Sequence, residues 1–211
     1  GRAAGAGVPL VLAGALVAGA TASIPGAARE MRHTAARDYV ENVRASQRLE
    51  PGLTLFDAPV PADAMLPLFG DNALASRALH GLGLGFDRPT GDLRMLDPTG
   101  TPRAVALVAT VPAERPPDNG CGYPVRQQAV RIEFTEEVPD GRLVLRFGYF
   151  SQLPAEGTVS TPTQDLQVRF QAGAHALWVV VDGPFDEVLV RAEGAVCVVD
   201  AVAGLPLPLQ G

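Results

Sequence analysis

Lysine is absent from this chain of 211 residues; all 17 basic residues are Arg. Ile occurs only at Ile24 and Ile132. Both residue types have codons poor in G and C, so their scarcity marks a GC-rich coding sequence and says nothing about fold. Against 23 acidic residues the formal net charge is −6. That balance excludes the basic footprint of a nucleic-acid-binding surface, and no nucleic acid is expected as a partner. Aromatic residues make up only 6% of the chain, with a single Trp, which leaves few rings for stacking a ligand. Histidine occurs three times (His33, His80, His175) and cysteine twice; nothing near either Cys supplies the CxxC or His spacing of a metal site. The 47% apolar content is too high for a disordered chain, and the length suits one domain with an attachment.

Charge itself is missing from Ala3 to Ala28, a run of 26 residues. A spanning helix needs about 20 apolar residues, and Gly5 to Ile24 supplies them. Pro9 lies near the start, where a missing N–H costs little. Gly14 and Gly19 offer flat faces for packing on other helices of the same membrane protein. An export signal is the second reading, since Arg2 and the small residues Ala20-Thr21-Ala22 suit a basic start and a cleavage site; a buried soluble helix is the third. The chain begins with Gly, which is expected of a piece of a longer protein. Arg29, Arg32, Arg37, Arg44 and Arg48 follow the run and by the positive-inside rule favour a cytoplasmic remainder. The cysteines favour the opposite.

Residues 29–49 carry an apolar stripe, Met31, Ala35, Ala36, Tyr39, Val40 and Val43, at helical spacing, with Arg37 and Glu41 as an i,i+4 pair. Pro51-Gly52 ends this helix. It reads as a stalk near the lipid or as a helix packed on its own domain. Beyond it, short apolar runs alternate with Pro and Gly. Leu53–Phe56, Leu93–Leu96 and Arg103–Val111 read as strands, and Ala73–His80 as a short helix capped by Asp71 or Asn72 and closed by Gly81. Val130–Phe134, Leu143–Phe150, Leu166–Phe170, Ala174–Val181, Val188–Val190 and Val196–Val202 read as further strands. Turn signals at Pro139-Asp140-Gly141, Ala172-Gly173, Asp182-Gly183-Pro184 and Glu193-Gly194 separate them. The regular spacing predicts an antiparallel β-sandwich, and the lack of strand–helix alternation argues against a parallel α/β sheet.

Cys121 lies in a glycine-rich loop and Cys197 in the last strand. An even count behind an apolar export or anchor segment favours a disulfide over two buried thiols. The bridge would close about 75 intervening residues and contribute on the order of 4 kcal/mol.

Reaction chemistry is sparse. Cys121 with His175 would make a nucleophile pair, in competition with the disulfide for the same thiol. Gly81-Leu82-Gly83-Leu84-Gly85 follows a helix instead of joining a strand to a helix, so it reads as a loop and not as a phosphate-binding motif. Asp57, Asp63 and Asp71 suit an acid–base pair or, more simply, caps and solvated loops. Asp182, Asp186 and Glu187 flank a turn and suit a Ca²⁺ ion or an acidic hairpin. Trp178, Tyr149, Phe150 and Tyr123 are the candidate stacking rings for carbohydrate, with Arg146 as a planar donor fork; the apolar neighbours of Trp178 favour a core position for it.

A family resemblance rests on an ordered set of segments. The apolar helix is followed by Arg37-Asp38-Tyr39-Val40-Glu41-Asn42-Val43 and Leu55-Phe56-Asp57-Ala58-Pro59-Val60-Pro61. Then come Leu93-Arg94-Met95-Leu96-Asp97-Pro98-Thr99-Gly100, Gly120-Cys121-Gly122, and Val196-Cys197-Val198 leading to Ala203-Gly204-Leu205-Pro206-Leu207-Pro208. The arrangement resembles the C-terminal extracytoplasmic region of actinobacterial multi-pass membrane proteins, themselves similar to polyprenyl-phosphate-sugar-dependent glycosyltransferases of the cell envelope. The closing strand resembles that of galactose-binding-like jelly-roll modules. The resemblance implies that catalytic loops lie in a membrane part upstream, so no catalytic residue is carried over.

The expected organisation is a transmembrane or export helix over 1–28, a connecting amphipathic helix over 29–51 and an extracytoplasmic, jelly-roll-like β-sandwich over 52–211, held at the cell membrane through residues 5–24 in the lipid bilayer. The expected role is a non-catalytic accessory that binds or positions envelope glycan. A protein–protein scaffolding module and an exported carboxylate-dependent hydrolase are the alternatives.

Overall fold

A computed structural model describes residues 34–65 and 73–209. The expected membrane or export segment, together with Met31, His33, Asp71 and Asn72, lies outside the described residues. Among those described, no helix is long and apolar enough to cross a membrane.

The described chain is mainly β. Helix α1 covers residues 34–49. It buries Tyr39 and Val43 against Leu55, Val60, Ala75, Leu79 and Leu96, so its apolar stripe packs on its own domain. Burial, with Asp97 nearby, pushes the Tyr39 phenol up from its ordinary pKa. Strand β1 (Thr54–Leu55) follows, then a single-turn helix α2 (Ala75–Ala78) and a 3₁₀ turn (His80–Leu82). The helical stretch thus runs past Gly81 to Gly83, which takes the left-handed conformation at φ +66°, where glycine is least strained. Instead of a local cap, Asp57 accepts the Ser76 N–H at 2.8 Å and the Ser76 hydroxyl at 2.6 Å.

The remaining strands are β2 (Gly85–Phe86), β3 (Leu93–Leu96), β4 (Pro102–Pro112), β5 (Tyr123–Val125), β6 (Val130–Ser151), β7 (Ala155–Ser160), β8 (Asp165–Phe170), β9 (Gly173–Ala192) and β10 (Val196–Pro208). They form one curled mixed sheet in the order β2-β1-β3-β4-β10-β6-β9-β7-β8, with β5 also on β10. Most pairs are antiparallel, but β1 runs parallel to both β2 and β3, which corrects the expectation of a purely antiparallel arrangement.

The two turn signals Pro139-Asp140-Gly141 and Asp182-Gly183-Pro184 are not hairpin ends. They lie opposite each other inside one long ribbon, where Gly141 pairs with Gly183. The register of β6 against β9 shifts between Glu133 and Val138 and again between Val138 and Gly141. Bulges of this kind bend a strand and sharpen its twist. A Cβ at Gly183 would lie 2.0 Å from the Pro139 carbonyl oxygen, so the bend demands glycine there. On both sides of it the inward residues reach one core: Ile132, Phe134 and Val138 before it, and Leu143, Leu145 and Phe147 after it. Phe134 meets Phe185 edge-on at 5.7 Å between ring centres, and Tyr149 meets Phe170 at 5.0 Å.

Cys121 and Cys197 are joined by a disulfide. Its loop lies so close to β10 that a Cβ at Gly122 would sit 2.4 Å from the Val198 carbonyl oxygen. Asn119 holds the loop shut by accepting the Cys121 N–H at 2.9 Å and donating to the Gly122 carbonyl at 3.1 Å.

Candidate functional site

Cross-strand pairing on β6, β9 and β10 sets out three rows. Arg146 lies between Trp178 and Val202, Gly148 between Ala176 and Asp200, and Phe150 between Ala174 and Cys197. Directly opposed residues share a face. Arg146, Trp178, Asp200 and Phe150 therefore look out on one surface, about 13 Å from first row to third at the rise of a strand.

The side chains on this face are ordered by one another. The Arg146 guanidinium lies 5.9 Å from the centre of the half-buried Trp178 ring, within cation–π range. It also donates to Asp200 Oδ1 at 3.3 Å, and the same oxygen accepts the Gly148 N–H at 2.8 Å. Two features allow this. The register of β10 on β6 shifts between Val198 and Asp200, which leaves Val199 exposed and turns Asp200 toward Gly148. Position 148 carries no Cβ, and one there would lie 2.5 Å from Asp200 Oδ1. Phe150 is 45% exposed. The segment around Thr90 borders the Trp178 end through two backbone hydrogen bonds of 3.0 and 2.8 Å. The disulfide borders the Phe150 end.

This combination suits a polyhydroxylated ring. Phe150 and the half-buried Trp178 offer apolar surface to C–H faces, Arg146 offers N–H donors, and Asp200 offers acceptors. Glycoside cleavage uses two carboxyl groups flanking the bond, and Asp200 is the one carboxylate on these three rows.

Two of the proposed stacking rings point the other way. Tyr149 is 3% exposed and Tyr123 8%. The Tyr149 hydroxyl accepts the Gln171 N–H at 2.8 Å, and the Tyr123 hydroxyl donates to the Glu114 carbonyl at 2.7 Å. Burial, with Glu114 and Glu133 nearby, pushes the Tyr123 phenol up. Both are core residues and take no part in this outward face.

The proposed Ca²⁺ ligands are also corrected. Asp182, Asp186 and Glu187 lie along β9 instead of in a turn, and Glu187 pairs with Arg131 at 3.0 Å. Among the described residues no group of three or more His, Cys, Asp or Glu is placed to hold a metal ion. The carboxylate of Asp57 is committed to Ser76, whereas Asp63 is exposed. The disulfide removes Cys121 as a nucleophile, and His175 Nε2 lies 2.8 Å from the Ala172 carbonyl oxygen.

Asp200 and Gly148 are the site residues that the sequence does not announce. Their only signal is a glycine within an otherwise alternating strand, a mark of close approach by another group.

No family model matches the chain, and no curated protein matches it. Among solved structures, it is similar to a Bacillus thuringiensis Cry1Da tryptic core variant with a TM-score of 0.27 and 14% identity, over 57% of this chain and 21% of that one. The chain thus spans about a fifth of that structure's length, and a likeness at this level carries no functional argument.

Proposed function

We propose that the chain is a membrane-tethered, extracytoplasmic module of jelly-roll-like sandwich type that binds or positions carbohydrate in cell-envelope glycan assembly and is non-catalytic in itself. The observation that carries this reading is the outward face on which Arg146, Trp178, Phe150 and Asp200 converge. The Cys121–Cys197 bridge supports an oxidising compartment, and the charge-free run Ala3–Ala28 supports a tether. The core shared by both arms of the bent ribbon supports the sandwich.

Calorimetric titration of the full chain in a neutral detergent with arabinan, mannan and galactan fragments tests the binding. One fragment class binds saturably, and Phe150→Ala and Arg146→Gln each weaken it at least several-fold. Absence of saturable binding by every fragment overturns the reading.

A second reading, a scaffolding module, is favoured by a separate observation. Leu205 is 45% and Leu207 48% exposed, and Leu205 pairs across the sheet with Val108, itself 40% exposed. Exposed apolar clusters mark contact surfaces. Photo-crosslinking from position 207 in intact membranes to one defined protein, without glycan dependence, would favour it.

A further inference from the structure

A cleft that shares no lining residue with the proposed glycan face lies between the C-terminal end of α1, strand β1 and the glycine-rich loop before β2. Its volume is ≈ 460 Å³, and Arg48 and Arg88 both line it. Seven arginines, Arg37, Arg94, Arg103, Arg131, Arg142, Arg146 and Arg169, each form an ion pair with a carboxylate. Arg48 and Arg88 have no carboxylate partner among the described residues, and no Asp or Glu lines this cleft. In a chain of net charge −6, two arginines without carboxylate partners lining one cavity make a local reversal of sign.

The cleft is built and not merely charged. The Gln47 side-chain amide donates to the Leu82 carbonyl, which ties the helix end bearing Arg48 to the loop leading to Arg88. A Cβ at Gly85 would lie 3.8 Å from Arg88 Cδ and 3.9 Å from Nε, so the Arg88 side chain lies back across the glycine. Thr54 also lines the cleft. It is only 9% exposed, yet its hydroxyl has no hydrogen-bond partner among the described residues. The hydroxyl has no protein partner to give up and can donate to a bound acceptor.

We propose that this cleft binds an oxyanion of the phosphate class, held between the Arg48 and Arg88 forks with the Thr54 hydroxyl donating to a third oxygen. Planar forks that match phosphate oxygens are the special capacity of arginine. The same chemistry is presented by a soluble phosphate compound and by a phospholipid headgroup.

The test is calorimetric titration of the full chain in neutral detergent with two probes: inorganic pyrophosphate, and a short-chain phosphatidylglycerol below its micelle concentration. Saturable binding of either probe is expected, weakened roughly tenfold by Arg48→Gln and by Arg88→Gln, as loss of a charge-assisted hydrogen bond implies. Thr54→Val weakens it less. Pyrophosphate alone binding identifies a soluble ligand, and the lipid alone binding identifies a headgroup. Binding of neither probe, or binding indifferent to both arginine substitutions, overturns the proposal. Both arginines are exposed, so unchanged thermal melting of the variants separates lost binding from lost folding. Glycan titration of the same variants stays unchanged, which keeps this cleft distinct from the glycan face.

Discussion

Asp97 shows how one side chain organises a turn. It accepts the Thr99 hydroxyl at 2.6 Å, the Thr99 and Thr101 N–H groups at 2.9 and 3.0 Å, and Arg103 Nε at 2.9 Å. Burial pushes its carboxyl pKa up, but these donors outweigh burial and hold it down at about 2, from an ordinary 3.8. A carboxylate lowered in the folded state stabilises the fold above its unfolded pKa and loses that contribution as pH falls through the folded value. Asp97→Asn is therefore expected to lower the melting temperature at neutral pH and to flatten its decline between 3.8 and about 2, as thermal unfolding across that window will show. Gly183→Ala is expected to cost on the order of 2 kcal/mol or more, read from the urea midpoint, because its Cβ has no room beside a backbone carbonyl. Gly148→Ala behaves differently: its Cβ meets the end of the Asp200 side chain, which can rotate away. Its stability stays near that of the parent, while glycan binding weakens because Asp200 loses its place beside Arg146.

The strands were largely legible in the sequence, because period-2 alternation is a direct consequence of the pleat. Leu143, Leu145 and Phe147 alternate in step with Tyr149, and that parity already assigns Tyr149 to the core. What the pattern conceals is continuity. A Pro-Asp-Gly and a Asp-Gly-Pro signal each suggest a chain reversal, but here they face each other and bend one ribbon without ending it. Only the pairing of two distant segments reveals this. Strand β7 is not legible in the sequence because Ala155-Glu156-Gly157-Thr158 has little apolar bulk. Gly157 is nevertheless required there, since a Cβ would lie 2.4 Å from the Arg191 carbonyl oxygen. The disulfide belongs to this scale as well. It ties the loop at 119–122 to β10 across a sequence separation of 76. Replacing both cysteines by Ala is expected to lower stability by about 4 kcal/mol on the loop-entropy model, as denaturant unfolding will check. Thiol labelling of the native chain without reductant is expected to be negative, and strong labelling at both positions would contradict the bridge.

At the scale of the molecule, three apolar clusters divide the work among the described residues. One fills the curled sheet, one seats α1 on β1 and β3, and a third places Phe56, Ala58 and Leu93 against Val144 and Val180 on the outer side of the long ribbon. The third cluster covers one end of the outward face and leaves the rows of Arg146, Gly148 and Phe150 as its open continuation. Composition foretold a scarcity of aromatic side chains, and alternation placed several of them, but neither could bring Asp200 beside Arg146 across a bulge. Trp178 is the single tryptophan of the chain and lies on this face, so its fluorescence reports the site without labelling. Titration of the full chain with the envelope-type fragments is predicted to change Trp178 emission saturably for one fragment class, with the midpoint moved to higher concentration in Phe150→Ala and Arg146→Gln. Emission that stays constant with every fragment, or a response identical in both variants, would contradict carbohydrate binding at this face.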